Sequence, residues 1–358
     1  MTQIISFPGL GWTFSISPDA FSIGGFTVKW YGVIFACAFL LGTLYALKNA
    51  KKFGLDADRV IDVLLGAIVC GIVGARIYYV IFSWDMYRDN PMDIFKIWKG
   101  GIGIYGGVIA AVLSGWFLCR WRKVRFLPML DLCCAGLILA QAIGRWGNFV
   151  NGEAFGSATT LPWRMTSEYA AGMGTTQIQS YLGSLPSALV EQMGGIDAIG
   201  VHPTFFYESA WCLLGFFLLV WMTKRRWFDG QMILVYTMWY GAERFVVEGL
   251  RTDSLMLGNL RVSQVFAIVS AITALIIMLV VLQKKTTSND PEYLRLYVET
   301  QEAQQILDGT FYQKKKAQPQ KDDSLTQQAD QPQQAPAETA GIDAQESPDQ
   351  TKDADLPQ

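Results

Sequence analysis

The sequence predicts an all-α polytopic membrane protein. It has seven transmembrane helices, an N-terminus outside and a C-terminus inside, a small extracytoplasmic cap and a disordered C-terminal tail. Three observations carry this reading. Hydrophobic residues make up 51% of the 358 positions and charged residues only 17%, with a mean hydropathy of +0.24. The apolar residues gather into runs long enough to cross about 30 Å of hydrocarbon, which takes roughly 20 helical residues. The lysines and arginines cluster in alternate connecting loops.

Seven runs qualify, at about 28–47, 60–82, 102–119, 129–147, 204–222, 231–249 and 262–282. They are continuous rather than alternating, which favours helices over a barrel. Residues 1–27, with Trp12, Phe14, Phe21 and Phe26, read as an interfacial lead-in, because aromatic rings favour the head-group zone. The first apolar run starts late and is too long for the core of a signal peptide, so no cleavable leader is expected.

Orientation follows from the loops. Lys48, Lys51, Lys52 and Arg59 lie between the first two spans, and Arg120, Arg122, Lys123 and Arg125 follow the third. Lys224, Arg225 and Arg226 follow the fifth, and Lys284 and Lys285 end the last. The positive-inside bias places all four clusters in the cytoplasm and Asn148 to Val201 outside. Residues 152–201 are too long for a simple connector and read as the cap. The membrane domain then spans 1–285, and 286–358 is a polar cytoplasmic tail rich in Gln, Asp, Lys, Ala and Pro. A short amphipathic helix is expected between Tyr293 and Tyr312, with disorder from Gln313 onward. The net charge of −2 says little about partners, and no nucleic acid is expected among them. The six cysteines (Cys37, Cys70, Cys119, Cys133, Cys134, Cys212) sit in or beside the spans without metal-ligand spacing, and read as packing residues.

Most ionisable residues avoid the spans, and among the exceptions Arg76, Arg145, Glu208, Glu243, Arg244 and Glu248 stand out. Each charge at mid-bilayer costs about 2.5–3.5 kcal/mol on insertion scales, so each needs a partner or a task. Arg244 and Glu248 are i, i+4 neighbours and suit mutual neutralisation. Arg145, Arg244 and Arg251 nonetheless fall at one depth, near the outer face. Converging guanidiniums suit a phosphate. Around Arg145 runs GRWGNFVNGEAFG (Gly144 to Gly156), whose Asn148, Asn151 and Glu153 follow a helix end among four glycines. Simple helix capping needs one glycine there, not four.

Gly101 to Gly106 match G-x-G-x-x-G, but no soluble βαβ unit surrounds them, which excludes a dinucleotide fold. Two readings stay open: close helix packing, or backbone N–H groups facing an anion with the Tyr105 phenol pointing into the site. The single histidine, His202, lies at the start of the fifth span and reads first as a hydrogen-bonded structural residue. One histidine without ligand-spaced carboxylates gives no zinc site, and no G-x-S-x-G hydrolase motif occurs.

GRWGNFVNGEAFG resembles the signature of bacterial prolipoprotein diacylglyceryl transferases, Gly-Arg-x-Gly-Asn-Phe-x-Asn-x-Glu-x-x-Gly, at every fixed position. KWYG (Lys29 to Gly32), YGG (Tyr105 to Gly107), HPTFFYE (His202 to Glu208) and YGAERFVVEGLR (Tyr240 to Arg251) agree in order, so the resemblance covers about residues 1–285. It implies a multi-pass protein of the bacterial cytoplasmic membrane. The implied reaction transfers the diacylglyceryl group of phosphatidylglycerol to the lipobox cysteine thiol of a prolipoprotein signal peptide, with no cofactor and no metal. Arg145 would bind the lipid phosphate, and Asn148, Asn151, Glu153 and Gly156 would shape that site. Tyr31, Tyr240 and Arg244 correspond to residues the family needs, and Tyr105 stands where many members carry a histidine implicated in thiol activation. Tyr105 is then expected to orient or deprotonate the thiol, with Glu153 or the leaving phosphate accepting the proton. The competing reading is a secondary transporter of an anionic solute, which also uses intramembrane arginines and glycine-broken helices. The seven runs show no internal repeat, and their charges lie toward one face.

Overall fold

A computed structural model describes residues 2–24, 26–97, 100–167, 200–251, 256–257, 260–290 and 292–311. Seven long helices fall on the seven apolar runs: α1 (Trp30–Asn49), α2 (Ala57–Phe82), α3 (Ile104–Arg122), α4 (Phe126–Asn151), α5 (Thr204–Thr223), α6 (Gln231–Leu250) and α7 (Val262–Thr287). Six of them, all but α6, are long and apolar enough to cross a membrane. Helix α6 departs because it carries Glu243, Arg244 and Glu248. The outer faces of the others leave side chains such as Phe35, Val69, Phe117 and Phe266 60–65% exposed. A water-soluble protein does not tolerate an apolar girdle of that extent, so this is a multi-pass membrane protein.

Small residues set the helix contacts, as expected where lipid removes the hydrophobic drive between helices. Gly42 on α1 faces Gly136 on α4 so closely that a Cβ on either would come within 2.7 Å of the other's carbonyl oxygen. Gly241 on α6 meets Ala267 and Ala271 on α7 in the same way. On α3, Gly106 and Gly107 lie against Gly74 and Gly71 of α2, so these two glycines serve close packing. Arg76 is buried and spends its guanidinium on the carbonyls of Asp93, Ile94, Gly100 and Gly101, fastening the α2–α3 connection.

The N-terminal segment is not a simple lead-in. Strand β1 (Gln3–Phe7) pairs antiparallel with β2 (Trp12–Ile16), and β3 (Asp19–Ile23) pairs with β4 (Phe26–Lys29), which runs into α1. Alternating Ile, Phe, Trp, Thr and Ser between Gly and Pro turns explains the hairpins. The all-helical fold thus carries short strands at one end. Strands β5 (Ala158–Thr159), β6 (Thr166–Ser167) and β7 (Gly200–Val201) follow, with β6 on β1 and β7 on β5. Residues 168–199 of the anticipated cap lie outside the described residues. An apolar plug of Ile5, Phe155, Met165, Val201 and Phe205, flanked by Phe7, Ile16 and Phe149, joins the hairpin to the ends of α4 and α5. At the opposite end of the bundle a short helix, α8 (Gln301–Leu307), falls in the stretch where one was anticipated. The expected disorder from Gln313 onward lies outside the described residues.

Candidate active site

The site grows from the way α4 ends. Gly152 adopts φ +64°, a conformation that favours glycine, and the Glu153 amide turns back to the Asn148 carbonyl at 3.0 Å. Asn148 and Asn151, one helical turn apart, then both donate side-chain amides to Glu153 Oε1, at 3.2 and 3.1 Å. Two such bonds hold the carboxylate in place. The next residue, Ala154, also has positive φ (+58°), and its carbonyl accepts the Thr204 hydroxyl. Gly156 closes the loop. Its amide donates to the His202 carbonyl at 2.9 Å, and it bridges antiparallel to Arg251. A Cβ there would lie 2.8 Å from His202 Cβ and 2.9 Å from Thr204 Cγ2, so only glycine fits.

Beneath this loop, charges from three helices meet on one carboxylate. Glu208 on α5 is 1% exposed. Arg145 from α4 pairs with its Oε2, and Arg244 of α6 and Arg251 each place Nη1 3.9 Å from its Oε1. Arg244 Nη2 also lies 2.6 Å from Glu248 Oε2, the i, i+4 pair expected from spacing. Arg261, at the start of α7, donates to the Glu248 carbonyl. Three guanidiniums, Arg145, Arg244 and Arg251, therefore meet the Glu208 and Glu248 carboxylates, with buried Glu243 close by and Arg261 on the Glu248 backbone. The Arg145 and Arg244 side chains stay 21% and 23% exposed while the acids they hold are sealed. A guanidinium has five N–H donors, more than one carboxylate satisfies, so this cluster suits an added anion.

The other anticipated residues divide. Tyr31 packs its ring on Gly147, where a Cβ would lie 2.8 Å from Tyr31 Cδ2, and stacks on Phe35 with centroids 6.4 Å apart. Tyr240 stacks on Tyr236 at 5.8 Å and lies in the field of Arg145 and Arg244. Tyr105 is not brought into the arginine cluster. It stands on the first turn of α3, half exposed, with its ring 6.4 Å from Tyr78. His202 places Nδ1 3.3 Å from the Tyr207 hydroxyl, which accepts the Trp163 indole N–H at 2.7 Å. Burial lowers the His202 pKa, so its imidazole is held neutral.

Glu208 and Arg261 were not singled out as site residues by the motif. Glu208 left a signal all the same: neither it nor Arg145 has an opposite charge one turn away on its own helix. Two unlike, unpartnered charges at similar depth in apolar helices have reason to find each other.

Residues 18–280 match the family described as prolipoprotein diacylglyceryl transferase. A relative named phosphatidylglycerol–prolipoprotein diacylglyceryl transferase, from Clostridioides difficile (strain 630), is 41% identical over 273 residues, which is 76% of this chain and 98% of the relative. Relatives of the same name from Listeria monocytogenes serotype 4b and Finegoldia magna are 42% and 43% identical over 281 and 261 residues, covering 94% of each relative. On the family match and these identities together, the chain belongs to the prolipoprotein diacylglyceryl transferase family.

Proposed function

We propose that this chain transfers the diacylglyceryl group of phosphatidylglycerol to the thiol of a prolipoprotein's lipobox cysteine, the first step of lipoprotein maturation. The family match and the relatives' names support the reaction. The observation that carries its chemistry is the convergence of Arg145 and Arg244 on Glu208 with both guanidiniums still partly open. In this reading the bundle sits in the bacterial cytoplasmic membrane with N-terminus out and C-terminus in. Helix α6 is the seventh span, its charges neutralised by neighbours, and residues 152–201 form the outer cap. The arginine cluster then lies just beneath the outer leaflet.

There Arg145 and Arg244 grip the phosphodiester, while Asn148, Asn151, Glu153 and Gly156 shape the loop above it and Tyr31 and Tyr240 line its sides. A thiol with an ordinary pKa near 8.5 must lose its proton to attack carbon. The thiolate attacks the glyceryl carbon that bears the phosphate. A carbon–sulfur bond forms, the carbon–oxygen bond breaks, and glycerol phosphate leaves with the electron pair. Charge grows on the departing phosphate, so guanidinium contacts strengthen as the reaction proceeds and accelerate it rather than only binding lipid. Glu153 or the leaving phosphate takes the thiol proton, and Tyr105 on the neighbouring α3 orients the incoming thiol.

Purified protein incubated with phosphatidylglycerol labelled in the diacylglyceryl moiety and a lipobox peptide tests this. The reading requires label on the cysteine peptide and none on its serine counterpart. Uptake of an anionic solute into vesicles without peptide labelling would support a transporter instead.

A further inference from the structure

The family match ends at residue 280, yet ordered chain continues beyond it at the end of the bundle opposite the arginines. A turn of 3-10 helix (Tyr297–Glu299) and α8 lie on a groove built from the α1–α2 connection, the α3–α4 turn and the α5–α6 loop. Tyr297, Ala303 and Ile306 are buried there at 6%, 0% and 7% exposure, among Phe53, Leu55, Val60, Val124 and Met129. Gly54 is what lets the segment in. It has φ +72°, and a Cβ there would lie 2.8 Å from Ala303 Cβ and 2.9 Å from the Val298 Cα.

Polar contacts fix the register. The Tyr297 amide donates to Asp229 Oδ2 at 2.7 Å. Arg125 pairs with Glu302 at 2.6 Å and sits over the Tyr297 ring, its Cζ 5.4 Å from the centroid. Lys285 donates to the Leu294 carbonyl at 3.2 Å. The segment carries Glu292, Glu299, Glu302 and Asp308 against one arginine, and the groove meets it with Arg125 and Lys285 beside Asp229, whose charge buried Arg226 offsets. The family match stops at residue 280, before this segment begins. The contacts are those of a ligand seated on a finished body.

We propose that the inner end of the bundle is a binding groove for an anionic peptide with an aromatic anchor, and that residues 292–311 of this chain are its resident ligand. The occupant clamps three connections at once: Gly54 after α1, Arg125 before α4 and Asp229 before α6. Binding in cis needs little intrinsic affinity, because the tether from α7 keeps the segment at high effective concentration. The inference does not rest on the transfer reaction.

The test uses the full chain. A protease site is inserted after Asn289, which is exposed, and is cut only after the folded protein has been purified. The fragment carrying residues 292–311 should stay with the membrane body through size exclusion. Glu302→Arg, placing two cations face to face, should speed its release about tenfold, and Arg125→Glu added to it should restore most of the retention. Tyr297→Ala should release the fragment outright. Immediate loss of the wild-type fragment on cutting would overturn the proposal. So would equal retention of all four proteins, since a groove that ignores its anchors recognises nothing.

Discussion

The Asp131 carboxylate on α4 accepts the Gly230 amide at 2.7 Å and the Ile233 amide at 3.0 Å, so one helix caps the start of another. The depth of the site follows from this. Arg145 lies 14 residues beyond Asp131 along α4, and Arg244 lies 14 residues beyond Gly230 along α6. At 1.5 Å per residue both guanidiniums are carried about 21 Å from the same hydrogen bond. Two helices running the same way, pinned together at one end, deliver two arginines to one level at the other.

Breaking that pin should therefore be felt at the far end. Asp131→Ala leaves two amides uncapped in a site where the carboxylate is fully buried, and should cost about 1–3 kcal/mol of stability. Transfer should fall further than folding does. Asp131→Asn, which keeps an acceptor, should recover a large part of the lost rate. Thermal unfolding and transfer rates on the same preparations check this, and full activity in Asp131→Ala would show that α6 finds its depth without help.

Glu208 is the anchor on which Arg145, Arg244 and Arg251 meet. Glu208→Gln removes the buried negative charge and leaves its cations repelling one another. Losing one partner of a buried ion pair costs about 3–5 kcal/mol, so a large fall in midpoint temperature is expected. Added phosphatidylglycerol should return part of it, because the lipid phosphate replaces the missing anion. The same lipid-induced rise in Glu208→Gln as in wild type would argue against a shared anion site.

Tyr105 lies apart from the arginines, so the proposed role for it is to orient the incoming thiol. Tyr105→Phe should slow transfer by up to about a hundredfold, the scale on which misplacing a reacting group costs rate. It should leave phosphatidylglycerol binding unchanged. Undiminished turnover would remove the phenol from the mechanism and leave Glu153 or the phosphate to take the proton unaided.

His202 gives a pH signature. Its pKa is lowered by burial in the folded protein, so above about pH 6.5 it is neutral whether folded or not and contributes nothing. As pH falls through the unfolded value, the unfolded chain takes up the proton first, and stability drops until the folded value is passed. His202→Asn should flatten the acid limb of the stability curve just below about pH 6.5. An unchanged limb would assign that limb to other groups.

Much of this was legible in the residues, for identifiable reasons. The seven helices lie within a few residues of the apolar runs, because each run is long and continuous enough to form one helix, and six of them are long and apolar enough to cross a membrane. The i, i+4 pairing of Arg244 and Glu248 is fixed by helix geometry alone. What a linear reading could not supply is pairing across helices. Arg145 and Glu208 are 63 residues apart, and Asp131 and Gly230 are 99 apart, so neither pair leaves a periodic trace. The glycines after Gly100 fitted both helix packing and anion binding, and contact with Gly74 and Gly71 gives Gly106 and Gly107 a packing role. The N-terminal hairpins were obscured because strands of four or five residues look like aromatic interfacial chain. The docking of Tyr297 depends on Gly54, far away in sequence, and no local pattern announces it.

The most direct measurement of the central claim is the rate of labelled thioether formation in wild type, Arg145→Ala and Arg244→Ala, with folding of each variant confirmed by its helical signal and retention in detergent. If the two guanidiniums hold the phosphodiester and stabilise the departing phosphate, both variants fold and neither makes product above background. Product formation by folded Arg145→Ala at the wild-type rate would contradict the account.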